Sequence, residues 1–253
     1  MRILITNDDG VDAPGIAIMR KIAQSISDDV WIVAPDGNQS GAGHRFTLGR
    51  ELSFDQREPQ VFAVVGGSPA DCVVAGYTHL LKDRAPDLVL SGVNQGQNLG
   101  DIINCSGTAA GAREGTMQGS LSIAMSQAVD YQAGSDVVWD NAIQHGAAVV
   151  RAIVAQAQGL DTYYNVNFPL CAPTEVSGIE VVPHQRFSRS AFQYYASDNV
   201  GKFFIAIPET PMPLERTHDF EVLHKDSAIT VTPLSLMQTD MGTVGRLQGK
   251  LVL

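Results

Sequence analysis

Short, unbroken apolar runs alternate with amphipathic stretches through the first half of this chain, and that rhythm limits its fold more than any other feature. Residues 2–6 (RILIT), 30–35 (VWIVAP), 61–65 (VFAVV), 87–91 (DLVLS) and 121–126 (LSIAMS) are strand-length runs with little polar interruption. Between the first two, residues 15–27 carry apolar side chains at helical spacing, and Pro14 suits a first helical turn. Ser68-Pro69-Ala70-Asp71 opens another helix, running to about Lys82: serine can cap it, proline fits the first position, and the carboxylate favours the positive end. Residues 137–158 are long, alanine-rich and helical in pattern. Strands that are apolar throughout fit a sheet covered on both faces, and strand–helix alternation means an α/β fold with a largely parallel sheet.

The second half changes character. Residues 162–167, 178–182 and 228–233 read as strands, and 184–206 is polar and aromatic with a β-like end at 202–207. No linker, charge run or repeat separates the halves, so one domain over 1–253 is expected. Residues 1–135 would form the core with its loops. Residues 136–253 would add a completing helix, strands, a projecting hairpin and a C-terminal segment. The tail after Pro233 shows no clear helix.

Three polar loops follow three of the strands: NDDG after the first, APDGNQSGAGH from the end of the second, and SGVNQGQNLGD from the end of the 87–91 run. In open parallel sheets ligands bind beyond the carboxyl ends of the strands, so these loops converge on one edge. They bring the carboxylates of Asp8 and Asp9, the hydroxyl of Ser40 and the amide of Asn94. All are hard oxygen donors, which select Mg²⁺, Mn²⁺ or Ca²⁺ over zinc or copper. A fourth segment, Cys105-Ser106-Gly107-Thr108, enters a helix with small residues, and a helix start is an anion site. Taken alone, each of these segments reads more readily as an ordinary turn or cap; their order, each after a strand, brings an oxygen-ligated metal site level with that reading. The net charge of −10 argues against a nucleic-acid duplex as partner. Cys72, Cys105 and Cys171 form no zinc pattern. No apolar run is long enough to span a bilayer, the N-terminus lacks signal-peptide architecture, and a cytoplasmic location is expected.

MRILITNDDGVDAPGI, APDGNQSGAG, GGSPADCV, SGVNQGQNLGD, SGTAAGAREG, NVNFP and VTPL together resemble the SurE (survival protein E) family, with the motifs in family order from residue 1 to about 234. The resemblance implies a Rossmann-like three-layer α/β/α fold and metal-dependent hydrolysis of nucleoside 5′- and possibly 3′-monophosphates. It implies one divalent cation per subunit, Mg²⁺ or Mn²⁺, on Asp8, Asp9, Ser40 and Asn94. Asp8 and Asp9 would be the catalytic pair, and Asn98, Ser106, Gly107 and Thr108 would hold phosphate. It also implies a homodimer or homotetramer with exchanged hairpins. Cys105 stands where the family has an aromatic, Ala112-Arg113 departs from its usual AMEG run, and Gln39 replaces a common basic residue.

None of these motifs supplies an evident acid for the leaving alkoxide. His44 is a chemically reasonable proton carrier or else a hydrogen-bonded loop residue. Arg113 reads as a solvated helix charge that could assist an anion. Tyr194 and Tyr195 read as hairpin packing that could stack on a base. Three rivals are a phosphoaspartyl phosphatase, against which the adjacent rather than alternating aspartates argue, a nucleotide-sugar transferase, and a non-catalytic nucleotide sensor.

Overall fold

A computed structural model of the chain describes residues 1–130, 137–206 and 214–251. Ile207, the last residue of the expected 202–207 run, and the expected 135/136 boundary lie outside the described residues. In chain order the elements are β1 (Arg2–Thr6), α1 (Pro14–Gln24), β2 (Asp29–Pro35), β3 (Ser53–Glu58), β4 (Val61–Val65), α2 (Pro69–Ala75), β5 (Leu88–Gln95), α3 (Gly107–Met117), β6 (Leu121–Gln127) and α4 (Asp140–Gln156). They continue with β7 (Thr162–Phe168), β8 (Ile179–Val181), β9 (Gln193–Ala196), β10 (Phe203–Ala206), α5 (Asp219–Lys225), β11 (Ile229–Ser235) and α6 (Met241–Leu247). A wide π-type turn, Gly76–Leu80, prolongs α2, and a 3₁₀ segment, Gly100–Cys105, leads into α3.

One nine-stranded sheet runs β3-β4-β2-β1-β5-β6-β7-β11-β8. It is parallel except at the pairs β3–β4 and β7–β11. Strands from both halves of the chain share it. Alternate side chains feed opposite layers. Ile3, Ile5, Ile32, Leu88 and Leu90 pack with Met19 and Ile22 of α1 and Val149 and Val150 of α4. Leu4, Val33 and Val89 pack with Cys72 and Val73 of α2 on the other face. The three-layer expectation therefore holds, and its cause is the period of two along apolar strands buried on both sides.

β9 and β10 form a separate antiparallel hairpin whose residues are all exposed. The tail differs from expectation: α6 forms there, with Asp240 accepting from the Thr243 N–H at 2.9 Å as its N-cap. It buries nothing, so no apolar periodicity announced it. Among the described residues, no helix is long and apolar enough to cross a membrane.

The chain runs from β1 outward to β2 and β4, then returns to place β5 against the other side of β1. That reversal opens a crevice at the carboxyl ends of β1, β2 and β5, the edge from which the three polar loops leave.

Candidate active site

Asn7, Asp8, Asp9 and Gly10 form a turn built by their own side chains and backbone. Buried Asn7 donates from Nδ2 to the Gly10 carbonyl at 2.8 Å and accepts the Gly10 N–H at 3.2 Å. Gly10 has φ 109°, and a Cβ there would lie 3.2 Å from the Gly37 Cα of the second loop. Only glycine meets both conditions.

Asp8 is 4% exposed and points at the start of α3. The Thr108 hydroxyl donates to Asp8 Oδ1 at 2.5 Å, and a Cβ on Gly107 would sit 2.7 Å from the Asp8 Cβ. Burial pushes the Asp8 carboxyl up to about 6; the neighbouring Asp9 charge adds to this, and the bonds from Thr108 partly offset it. Asp9, half-buried, accepts the Gln95 N–H at 3.2 Å, which joins the first loop to the fifth strand; burial raises its pKa as well. Asn94 is the residue before Gln95. Its Nδ2 donates to the Gly96 carbonyl at 2.7 Å, which fixes the end of the amide that carries Oδ1.

The second loop is fastened to the same rim. The Gln39 N–H donates to the Asp8 carbonyl at 2.7 Å, and Ser40, exposed, follows directly with its N–H on Asn38 Oδ1 at 2.8 Å. Gly43 N–H reaches the Cys105 carbonyl at 3.0 Å. Farther along, the α2 start holds this loop: the Ser68 hydroxyl donates to the Arg45 carbonyl at 2.5 Å, and Asp71 accepts the Thr47 N–H and hydroxyl at 3.1 and 2.8 Å. Ser68 caps α2 as expected, and with Asp71 it forms a reciprocal capping box.

The four oxygen-bearing residues Asp8, Asp9, Ser40 and Asn94 are thus carried to one rim by bonds on themselves or on their chain neighbours. The residues expected to hold phosphate divide. Gly107 and Thr108 abut Asp8, and the Thr108 hydroxyl proton is already committed to it. Ser106 caps α3, its Oγ accepting the Ala109 N–H at 3.0 Å, which leaves the hydroxyl proton for another acceptor. Asn98 lies deeper. Its N–H and carbonyl are clamped by Asn167 Oδ1 at 2.8 Å and Asn167 Nδ2 at 3.1 Å, Asn165 Nδ2 adds a bond at 2.8 Å, and its own amide donates to Ser126 at 3.0 Å. A buried carboxylate, Asp219, accepts Gly100 N–H at 2.7 Å and closes the same loop; burial raises its pKa despite three backbone donors.

Asn7, Asn165, Asn167 and Asp219 escaped the sequence reading as builders of this site. The NVNFP stretch was the available signal: two asparagines two apart on a strand face one side together. Their partners are backbone groups distant in sequence, which no spacing announces. Tyr194 lies in the exposed hairpin against Phe203, with ring centroids 5.3 Å apart.

Among the described residues, no group of three or more His, Cys, Asp or Glu side chains could hold a metal. The rim offers the carboxylates of Asp8 and Asp9 with neutral oxygen donors beside them. No cationic side chain figures among the influences on Asp8 or Asp9. A buried and a half-buried carboxylate side by side fit a divalent ion of the hard class.

A family model described as survival protein SurE matches residues 3–191. A protein of Methylobacterium radiotolerans named 5′-nucleotidase SurE is 43% identical over 250 residues, covering 97% of each chain. One of the same name from Rhodopseudomonas palustris strain HaA2 is 42% identical over 248 residues, covering 95% of each. The crystal structure of the SurE protein from Aquifex aeolicus superposes with a TM-score of 0.83 at 34% identity, covering 98% of this chain and 99% of that one.

Proposed function

From the premise that this chain belongs to the SurE family, we propose that it is a 5′-nucleotidase, releasing phosphate from nucleoside 5′-monophosphates, and from 3′-monophosphates by the same site. The proposal takes the whole chain as one catalytic unit. The observation that carries it is the meeting of buried Asp8 with the first turn of α3 while Asp9 bonds the residue after Asn94. That meeting sets a pair of carboxylates beside a helix start, a combination suited to a cation and a phosphate together.

Asp8, Asp9, Ser40 and Asn94 would hold one divalent cation, Mg²⁺ or Mn²⁺. Such an ion, when bound, supplies positive charge for phosphate oxygens and the acidity that makes water a nucleophile near neutral pH. The chain's own residues do the rest. Thr108 holds Asp8 in orientation, and Gly107 lets that carboxylate approach the helix. The Ser106 hydroxyl and the positive end of the α3 dipole favour phosphate oxygens as charge develops. Asn98, set by Asn165 and Asn167, lines the far side. A homodimer or homotetramer joined through the β9–β10 hairpin completes the proposal.

The test is phosphate release from a panel of nucleoside monophosphates with Mg²⁺, Mn²⁺ or EDTA. Turnover that EDTA abolishes and added metal restores is expected. Nucleotide binding without turnover under every metal would replace the enzyme with a sensor.

A further inference from the structure

A nucleoside alkoxide is a strongly basic leaving group, and the oxygens on the rim offer it no evident proton. His44, four residues along the loop from Ser40, carries an imidazole. His44 Nε2 lies 2.9 Å from Glu114 Oε2. Glu114, on α3, is 3% exposed, and Gln118 Nε2 holds its other oxygen at 2.7 Å. The His44 ring also packs on Phe46, with centroids 5.4 Å apart. Its segment is tied down on both sides, Gly43 to Cys105 and Arg45 to Ser68. Cys105 and Ser106 lead into α3, and Gly107, the next residue, touches Asp8. His44, Asn104, Ser106, Arg113 and Tyr163 line one cleft, and Ser106 is the residue that caps the start of α3.

A ring nitrogen held by a carboxylate fixes the orientation of the other one, the arrangement by which enzymes aim a histidine. We propose that His44 gives the proton to the leaving oxygen and that Glu114, steadied by Gln118, is its positioning residue; this rests on the nucleotidase reading. The Nδ1–H proton of the imidazolium passes to the ester oxygen as the P–O bond breaks and its electron pair stays on that oxygen. Water forms the new P–O bond, and the proton it loses restores the imidazolium through solvent. The products are nucleoside and inorganic phosphate.

A purely structural His44, there to satisfy buried Glu114, would make no distinction between leaving groups. The experiment therefore compares a nucleoside 5′-monophosphate with p-nitrophenyl phosphate, whose phenolate departs without protonation. It uses the full chain at saturating Mn²⁺ as wild type, His44→Gln and Glu114→Gln. The ratio of kcat on the nucleotide to kcat on the aryl ester should fall about 10²-fold in His44→Gln, the usual weight of a general acid. Glu114→Gln should lower the same ratio by a smaller factor. Equal losses on both esters, or no loss on the nucleotide, overturn the proposal. A leaving-group series on wild type alone guards against a variant that fails to fold: turnover nearly independent of leaving-group basicity supports the acid, and a steep decline with basicity overturns it. Wild type that hydrolyses neither ester with any divalent metal would overturn the nucleotidase reading and this inference together.

Discussion

Asp9 joins two loops through a single bond to the Gln95 N–H and is half-buried, so its shape matters less to the fold than its charge does to the site. Asp9→Asn retains an oxygen that can accept that bond. It should change stability by no more than about 1 kcal/mol, as most substitutions away from the core do. Turnover should fall about 10²-fold or more, the scale of losing one group that serves transition-state charge. Phosphate release beside thermal unfolding checks both parts, and a folded variant with undiminished turnover would remove Asp9 from the mechanism. At this scale the rim was legible because Asp8, Asp9, Ser40 and Asn94 carry their chemistry in their own side chains; Asp8, Asp9 and Ser40 follow strands in loops, whereas Asn94 lies near the end of β5, which runs on past the expected 87–91. The resemblance places Thr108 at the phosphate, and its hydroxyl here donates to Asp8. That bond is a contact between residues 100 apart in sequence, which local pattern does not encode.

Helix α3 is the element that ties site to sheet. Gly107, Gly111 and Gly115 fall four apart on one face. Added Cβ atoms would lie 2.7 Å from the Asp8 Cβ, 2.7 Å from Ser91 Oγ and 2.6 Å from Ser122 Oγ respectively. Small residues there let the helix start reach the carboxylate. Gly115→Ala sets two effects against each other. Helix propensity favours alanine by about 1 kcal/mol. The new methyl, however, would also meet the Val89 Cβ and Cγ2 at 2.7 Å, and overpacking costs about 1–3 kcal/mol. The Val89 Cβ is fixed to the strand backbone and cannot swing aside, so stability should drop by about 1–2 kcal/mol in urea unfolding with an unchanged slope. A stabilised variant would show that α3 rides loosely on the sheet. The same scale explains which elements the sequence concealed. β3 reads SFDQRE and is exposed throughout, an edge strand with no apolar alternation to detect. α6 has glycines at 242 and 245 and no buried side chain. Strands and helices with a buried face were readable; those without one were not.

For the whole molecule, the reversal of strand order around β1 gathers loops from residues 7, 40 and 94 at one edge. This was legible because parallel α/β sheets leave little choice about where their polar loops meet. The insertion of β11 between β7 and β8 was not, since a strand's alternation does not record which strand it pairs with. The hairpin leaves Tyr194, Phe203, Phe204 and Ile205 more than half exposed. Neighbouring apolar side chains in such a projection mark an interaction surface. Light scattering should accordingly find more than one chain per particle, and Phe204→Glu should shift the distribution toward the monomer; a wild-type monomer at all concentrations would contradict assembly through the hairpin. The central claim, that oxygens from Asp8, Asp9, Ser40 and Asn94 share one cation, is tested most directly by titrating Mn²⁺ calorimetrically into EDTA-stripped protein. Wild type should bind one ion per chain, with Asp9→Asn and Asn94→Leu each weakening it about 10- to 100-fold or more, at least the loss seen when a metal site's supporting groups are removed. Affinity and stoichiometry left intact in both variants would place the metal elsewhere and contradict the account.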